Sequence, residues 1–139
     1  AMMSTKIQVR PDTSDKKYSC ETIHPDVVKM LEMLKTRTNQ IVVITDGGNG
    51  AYAYDGKNYY CCPVFDGDVV STLGAGDAFA STFSAALGRT NIDICKALMY
   101  ASVNSSSVVS KFGATEGLLT FEEIEDRLSK CPEYTCVKL

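Results

Sequence analysis

The chain has 139 residues, 45% of them hydrophobic and 22% charged, and its formal net charge is -3. That is ordinary globular composition at one domain's length, enough for a real core. The charge balance excludes a basic nucleic-acid surface and a polybasic membrane contact, and no apolar run nears the ~20 residues of a spanning helix.

Ala1-Met2-Met3 reads as a cloning scar before a start methionine, with no signal-peptide core behind it, so a cytoplasmic protein is the expectation. Residues 1–22 read as an irregular N-terminal segment with strand character only from Lys6 to Arg10. From Pro25 the pattern turns helical: Val27, Val28, Leu31 and Leu34 recur at helical spacing, and Pro25 and Asp26 suit a first turn. "IVVIT", Ile41 to Thr45, is β-branched and apolar on both faces, as buried parallel strands are. "DGGNG" breaks it. "AYAYDGKNYYCCP" reads as a hairpin around Asp55-Gly56, closed by Pro63. Ala78 to Leu87 is helical, with Phe79, Phe83 and Leu87 on one face. A longer helix from Ile94 through Lys111 is rich in serine in its middle, and Gly113 is its expected stop. Thr120-x-x-Glu123 is a capping box before a last helix ending near Leu128. This order predicts an α/β fold with helices packed on a small sheet. One strand and a hairpin give little sheet for three C-terminal helices, so an uncovered apolar face is expected.

Six cysteines, Cys20, Cys61, Cys62, Cys95, Cys131 and Cys136, are too few for a disulfide scaffold. Cys61 and Cys62 adjoin on a strand, so their side chains should face opposite sides. There is no Cys-x-x-Cys pair and the single histidine, His24, is remote from most of the thiols, so zinc is not expected. Free thiols in a reducing compartment are the expectation.

The densest chemistry lies in "TLGAGDAFAS", Thr72 to Ser81. Gly74 and Gly76 let backbone amides converge, and a following helix adds its own unpaired amides and dipole. The product is an anion site built from backbone. Asp77 on its rim does not help hold an anion. A carboxylate there makes sense if it takes a proton from a hydroxyl attacking that anion, as in phosphoryl transfer. Aspartate is also an ordinary helix-terminus residue, and on these four residues alone the two readings stand level. Walker A is excluded by the absence of Gly-Lys-Ser/Thr, and "GGNG" followed by a hairpin is no dinucleotide fingerprint.

"VVSTLGAGDAFAS" closely resembles the C-terminal signature D-T-x-G-A-G-D-x-F of the ribokinase/PfkB-like carbohydrate kinases. "VVITDGGNGAYAYDG" resembles that family's V-T-x-G-x-x-G segment and hairpin, and "VVSKFGATEGLLTFEEIEDRL" is similar to its last helices. Order and spacing agree from Asp26 to Leu128, which is far more specific than any one segment. The resemblance implies the C-terminal, nucleotide-binding portion of a three-layer αβα fold, with residues 23–139 as a single domain that is incomplete relative to the family. It implies ATP and magnesium as cofactors, and ATP-dependent phosphoryl transfer to a hydroxyl of a sugar or sugar acid. Gly74, Ala75, Gly76 and the Asp77 amide would form the anion hole, and Asp77 would be the base. Thr45, Gly47 and Gly50 would lie along the nucleotide, with Ser102 where many members carry Asn or His against the adenine. For Thr45 a strand-end hydroxyl, and for Gly47 and Gly50 turn geometry, are the plainer readings. For the run Ser105 to Ser107 a tight helix contact is the better one.

Two departures qualify this. Ser71 replaces the signature's opening Asp, which puts the monovalent cation in question, and the "STLGAGD" spelling is nearest to members acting on acidic or deoxy sugars, such as a keto-deoxy-gluconate-like acid. The family's N-x-x-E motif for magnesium and its sugar-binding N-terminal strands are not found, so no metal ligand is assigned. The chain is expected to be inactive alone. Its partners are a nucleotide and a small sugar or sugar acid, no nucleic acid and no membrane, with either a second copy or a missing N-terminal half completing it. A non-catalytic nucleotide-binding or interaction module derived from the same fold is the alternative. An anion-binding regulatory domain ranks last.

Overall fold

In the computed structural model of the chain the described residues are Cys20, 23–113 and 116–139. The strand character read for Lys6 to Arg10, and most of the segment 1–22, lie outside them. The elements run α1 (Pro25–Lys35), β1 (Val42–Thr45), a 3₁₀ turn (Gly47–Asn49), β2 (Ala51–Tyr54), β3 (Tyr59–Cys62), α2 (Ala75–Leu87), α3 (Ile94–Val109), α4 (Phe121–Ser129) and β4 (Val137–Lys138). Local chemistry sets the helix starts. The His24 ring accepts from the Asp26 amide at 3.1 Å, and Asp93 accepts from the Lys96 amide at 2.8 Å. The capping box of α4 is complete, with Glu123 N–H on Thr120 Oγ1 at 3.2 Å and Thr120 N–H on Glu123 Oε1 at 3.0 Å. Helix α2 begins a turn earlier than its apolar pattern, because Gly74 takes the left-handed conformation (φ 84°) at the N-cap. Helix α3 stops at Val109, two residues short of Lys111.

The sheet has four strands in the order β1-β2-β3-β4, and every pairing is antiparallel. This corrects the parallel reading of Ile41 to Thr45. Its strand, β1, lies at a sheet edge and pairs only with β2 among the described residues. Its double-sided apolar pattern has a different cause: both faces of the sheet are covered. Val42, Tyr52, Tyr59 and Cys61 face α1 and pack with Val28 and Leu31. Ala51, Ala53, Tyr60 and Cys62 face the other helices and pack with Phe79, Phe83, Leu98, Val103 and Ile124. The result is a helix–sheet–helix sandwich. The Tyr59 hydroxyl donates to Glu32 Oε1 at 2.6 Å, fastening α1 to the sheet. The two-residue strand β4 went unread in the sequence because it is shorter than any periodic signal.

Cys61 and Cys62 do point to opposite faces. Cys61, however, is bonded to Cys20, with Cα atoms 5.8 Å apart. The expectation of six free thiols is therefore corrected: the contact joins positions 41 apart in sequence, which spacing alone does not reveal. Among the described residues no helix is long and apolar enough to cross a membrane.

Helices α2 and α3 pack closely, and one polar pair lies inside that contact. Asn104 Nδ2 donates to Thr82 Oγ1 at 2.8 Å, and Asn104 Oδ1 accepts from the Leu119 amide at 2.9 Å, with both side chains buried. Asn104→Ala strands the Leu119 amide and the Thr82 hydroxyl. The expected loss is about 2 kcal/mol of unfolding free energy, read by urea denaturation.

Candidate active site

The start of α2 is held by three local features. The Ala75 amide donates to Thr72 O at 3.2 Å, Ala78 N–H reaches Gly74 O at 2.9 Å, and the Leu73 amide donates to Ser71 Oγ at 3.2 Å. The loop before it is pinned to the end of α3, where Val109 O accepts from the amides of Val70 (2.7 Å) and Ser71 (3.0 Å). Among the described residues the amides of Gly74, Gly76 and Asp77 have no carbonyl acceptor. Such amides at a helix mouth bind anions, and the helix dipole adds to them. A Cβ built on Gly76 meets nothing within 4 Å, so the helix start opens on free space. Asp77 follows in the first turn and is exposed.

A cleft of about 360 Å³ runs from this point across the sheet end. Its walls bring together Thr45, Gly47, Gly50, Ala75, Gly76 and Ser102, residues from three separate stretches of chain. Gly74 and Asp77 adjoin it in sequence but are not in its lining. Thr45 ends β1, and Gly47 (φ 49°) and Gly50 (φ 102°) bracket the 3₁₀ turn. The turn is closed by Asp46 N–H on Gly50 O at 2.8 Å, and Gly50 is buried against Cys62 O. Gly47 and Gly48, by contrast, have no atom near a built Cβ.

Ser102 carries two structural bonds: its Oγ accepts from the Phe65 amide at 3.1 Å and donates to Pro63 O at 3.3 Å. It thus holds the β3–α2 loop against the sheet, together with Tyr134, whose hydroxyl donates to Pro63 O at 2.7 Å. The serine run makes close helix contacts. Ser105 Oγ donates to Ala75 O at 3.2 Å, and a Cβ on Gly117 would lie 2.3 Å from Ser107 O. The sequence reading missed the β3–α2 loop as a wall of the cleft. Val64, Phe65, Gly67 and Val69 all line it, and Gly67 stands where a Cβ would meet Ser106 Oγ at 2.8 Å. An isolated glycine in that loop was the available signal. No three His, Cys, Asp or Glu side chains group as a metal site among the described residues.

Beside the cleft, a groove of about 510 Å³ follows the open side of β1, lined by Ile41, Val43, Phe79, Phe83 and Leu87 among others.

The chain is 31% identical to a ribokinase from Lactococcus lactis, over 81% of its own length and 37% of that protein's. It is 41% identical to a 5-dehydro-2-deoxygluconokinase from Bacillus subtilis, over 61% of its length and 26% of the relative's. Among solved structures, that of a putative ribokinase from Agrobacterium tumefaciens superposes with a TM-score of 0.67 at 28% identity, covering 77% of this chain and 36% of the other. An aminoimidazole riboside kinase from Salmonella enterica, solved with aminoimidazole riboside and an ATP analogue, gives 0.61 at 26% identity, covering 69% and 34%. The chain thus spans about a third of the length of these relatives. The pfkB family of carbohydrate kinases is matched over residues 13–120, a span that contains both the glycine-bracketed turn and the start of α2. With the fold and the helix-mouth loop in agreement over that span, the chain belongs to the pfkB carbohydrate kinase family.

Proposed function

We propose that these residues form the nucleotide half of a sugar or sugar-acid kinase. The single observation that carries the reading is the mouth of α2. Its unpaired Gly74, Gly76 and Asp77 amides adjoin a cleft walled by Thr45, Gly47 and Gly50. The ATP analogue in the Salmonella relative supports a nucleotide there. In this reading the amides receive the transferring phosphoryl group and offset its charge. An acceptor hydroxyl attacks phosphorus, the bond from phosphorus to the ADP oxygen breaks, and the hydroxyl proton passes to the Asp77 carboxylate. Ser102 supports the wall rather than the nucleotide, because its hydroxyl is already shared between Pro63 and Phe65. Thr45 and Gly47 are exposed and free of that constraint. Magnesium is given no ligand and no step here.

The names of the 5-dehydro-2-deoxygluconokinase relatives support a keto-deoxy sugar acid as the acceptor class. The acceptor's own pocket is assigned to the part of the family fold outside this chain. The apolar groove along β1, lined by Ile41, Val43, Phe83 and Leu87, is where that part, or a second copy, would dock. The 139 residues alone are expected to bind nucleotide without sugar turnover, the behaviour shared with a non-catalytic binding module.

Gly76→Ala tests the anion seat. Ala is a better helix residue, and its methyl has open space, so thermal stability should hold or rise slightly. The same methyl intrudes on the phosphoryl position, and affinity for a non-hydrolysable ATP analogue should fall about 10-fold or more by calorimetry. Unchanged affinity with unchanged stability would remove the α2 mouth from the nucleotide site.

A further inference from the structure

Three thiols meet on the sheet face opposite the Cys20–Cys61 bond. Cys95 is the second residue of α3 and is half-buried. Cys136 immediately precedes β4 and is buried. Their sulfurs are 2.7 Å apart, across 41 positions of sequence. Cys62, on β3, is buried behind them, 3.1 Å from the Tyr134 hydroxyl. The group is not a metal site, since no cluster of ligands qualifies among the described residues.

We propose that Cys95 and Cys136 are a reversible redox pair, oxidised by a low-molecular-weight disulfide, whose bond staples β4 to the start of α3. The geometry orders the steps. Cys95 is the accessible sulfur, at a helix start where a thiolate is favoured. The hydrogen-bonded Cys136 thiol holds it below the ordinary cysteine range, against opposing burial and the Asp93 charge and with help from Lys138. Cys136 is pushed the other way, by the neighbouring Cys62 and Cys95 thiols and by burial, so it is the poorer first nucleophile. The Cys95 thiolate therefore attacks the reagent disulfide. One reagent sulfur stays on Cys95, and the other leaves and takes up the proton that Cys95 lost. Cys136 then attacks the Cys95 sulfur, closing the protein disulfide. Its proton goes to the second reagent thiol. Two electrons pass from the protein to the reagent, which ends as two thiols. Cys62 is on the wrong side to begin the exchange, being fully buried with its thiol against Tyr134.

Closing a loop of this length restricts the unfolded chain, and β4, only two residues long, is the element that gains most from the tie. The proposal does not depend on the kinase reading, since none of these thiols lines the cleft.

The test uses the whole chain, held with oxidised glutathione or with dithiothreitol and then alkylated, digested without reductant and weighed. After glutathione a Cys95–Cys136 cross-linked peptide, lighter by two hydrogens than the two free peptides, should dominate and disappear on reduction. The rise in thermal midpoint from dithiothreitol to glutathione should be about 10 °C larger in the parent than in Cys95→Ser, in which only the Cys20–Cys61 bond is left to re-form. Cys62→Ser should keep the cross-link. A Cys62–Cys136 peptide in its place, glutathione retained on Cys95, or unchanged alkylation of Cys95 and Cys136 would each overturn the proposal. Should Cys136→Ser fail to fold, the half-exposed Cys95→Ser variant carries the test alone.

Discussion

Asp77→Asn, in a polypeptide that joins these residues to the rest of the family fold, should lower kcat by ~10²–10⁴ while the protein folds as before. The side chain is exposed in the first turn of α2, and among the described residues it makes no ion pair, so its replacement removes no packing and no structural bond. Asparagine keeps the shape and the backbone amide that faces the anion, but its amide cannot take the acceptor's proton. Nucleotide affinity should hold or tighten, because a negative charge beside the phosphates has gone. Single-turnover kinetics separates these effects. A parent-like chemical rate in Asp77→Asn would mean that the proton leaves by another route.

The second large effect is structural and lies at the opposite wall. Gly50→Ala should cost about 3 kcal/mol or more of unfolding free energy. Gly50 has φ 102° and ψ -152°, a region open in practice only to glycine, and its added Cβ would lie 2.3 Å from Cys62 O. That carbonyl belongs to β3, so neither partner moves without breaking the β2–β3 pairing of Ala51 with Cys62. Gly48→Ala is the control: nothing lies within 4 Å of its Cβ, and its loss should stay within about 0.5 kcal/mol. Equal denaturation midpoints for the two variants would contradict this account of the turn.

These two glycines, two positions apart, mark how far the sequence can be read. "DGGNG" announces a turn after an apolar run, and the turn is there. Nothing in the five letters separates Gly50, held against a strand, from Gly48, facing open space, since the difference lies in a carbonyl contributed by Cys62. Elements with a strong local cause were legible. Pro25 with Asp26 began α1, the Thr120–Glu123 box began α4, and Asp55-Gly56 turned the hairpin. The glycine loop before α2 was legible as well, because the helix start at Gly74 is set by residues within the loop itself.

What is distant in sequence was decided only in three dimensions. Ile41 to Thr45 was expected to be parallel because both its faces are apolar. Burial on two faces records helices above and below a strand and carries no information on the direction of its neighbours. Strand β4 exists because the edge of β3 offers unpaired groups to the Val137–Lys138 segment, and two residues have no period of their own. Cys20 meets Cys61, and Cys95 meets Cys136, each across 41 positions, through the packing of whole layers. Ser102 lines the cleft, and its bonds to Pro63 and Phe65 likewise exist only because the fold brings those residues to its hydroxyl. The sequence by itself determined the local elements and the helix-mouth loop, whose causes lie within a few residues. The tertiary structure decided strand direction, thiol pairing and which polar groups remain unspent, because each depends on partners that only the packed layers bring into reach.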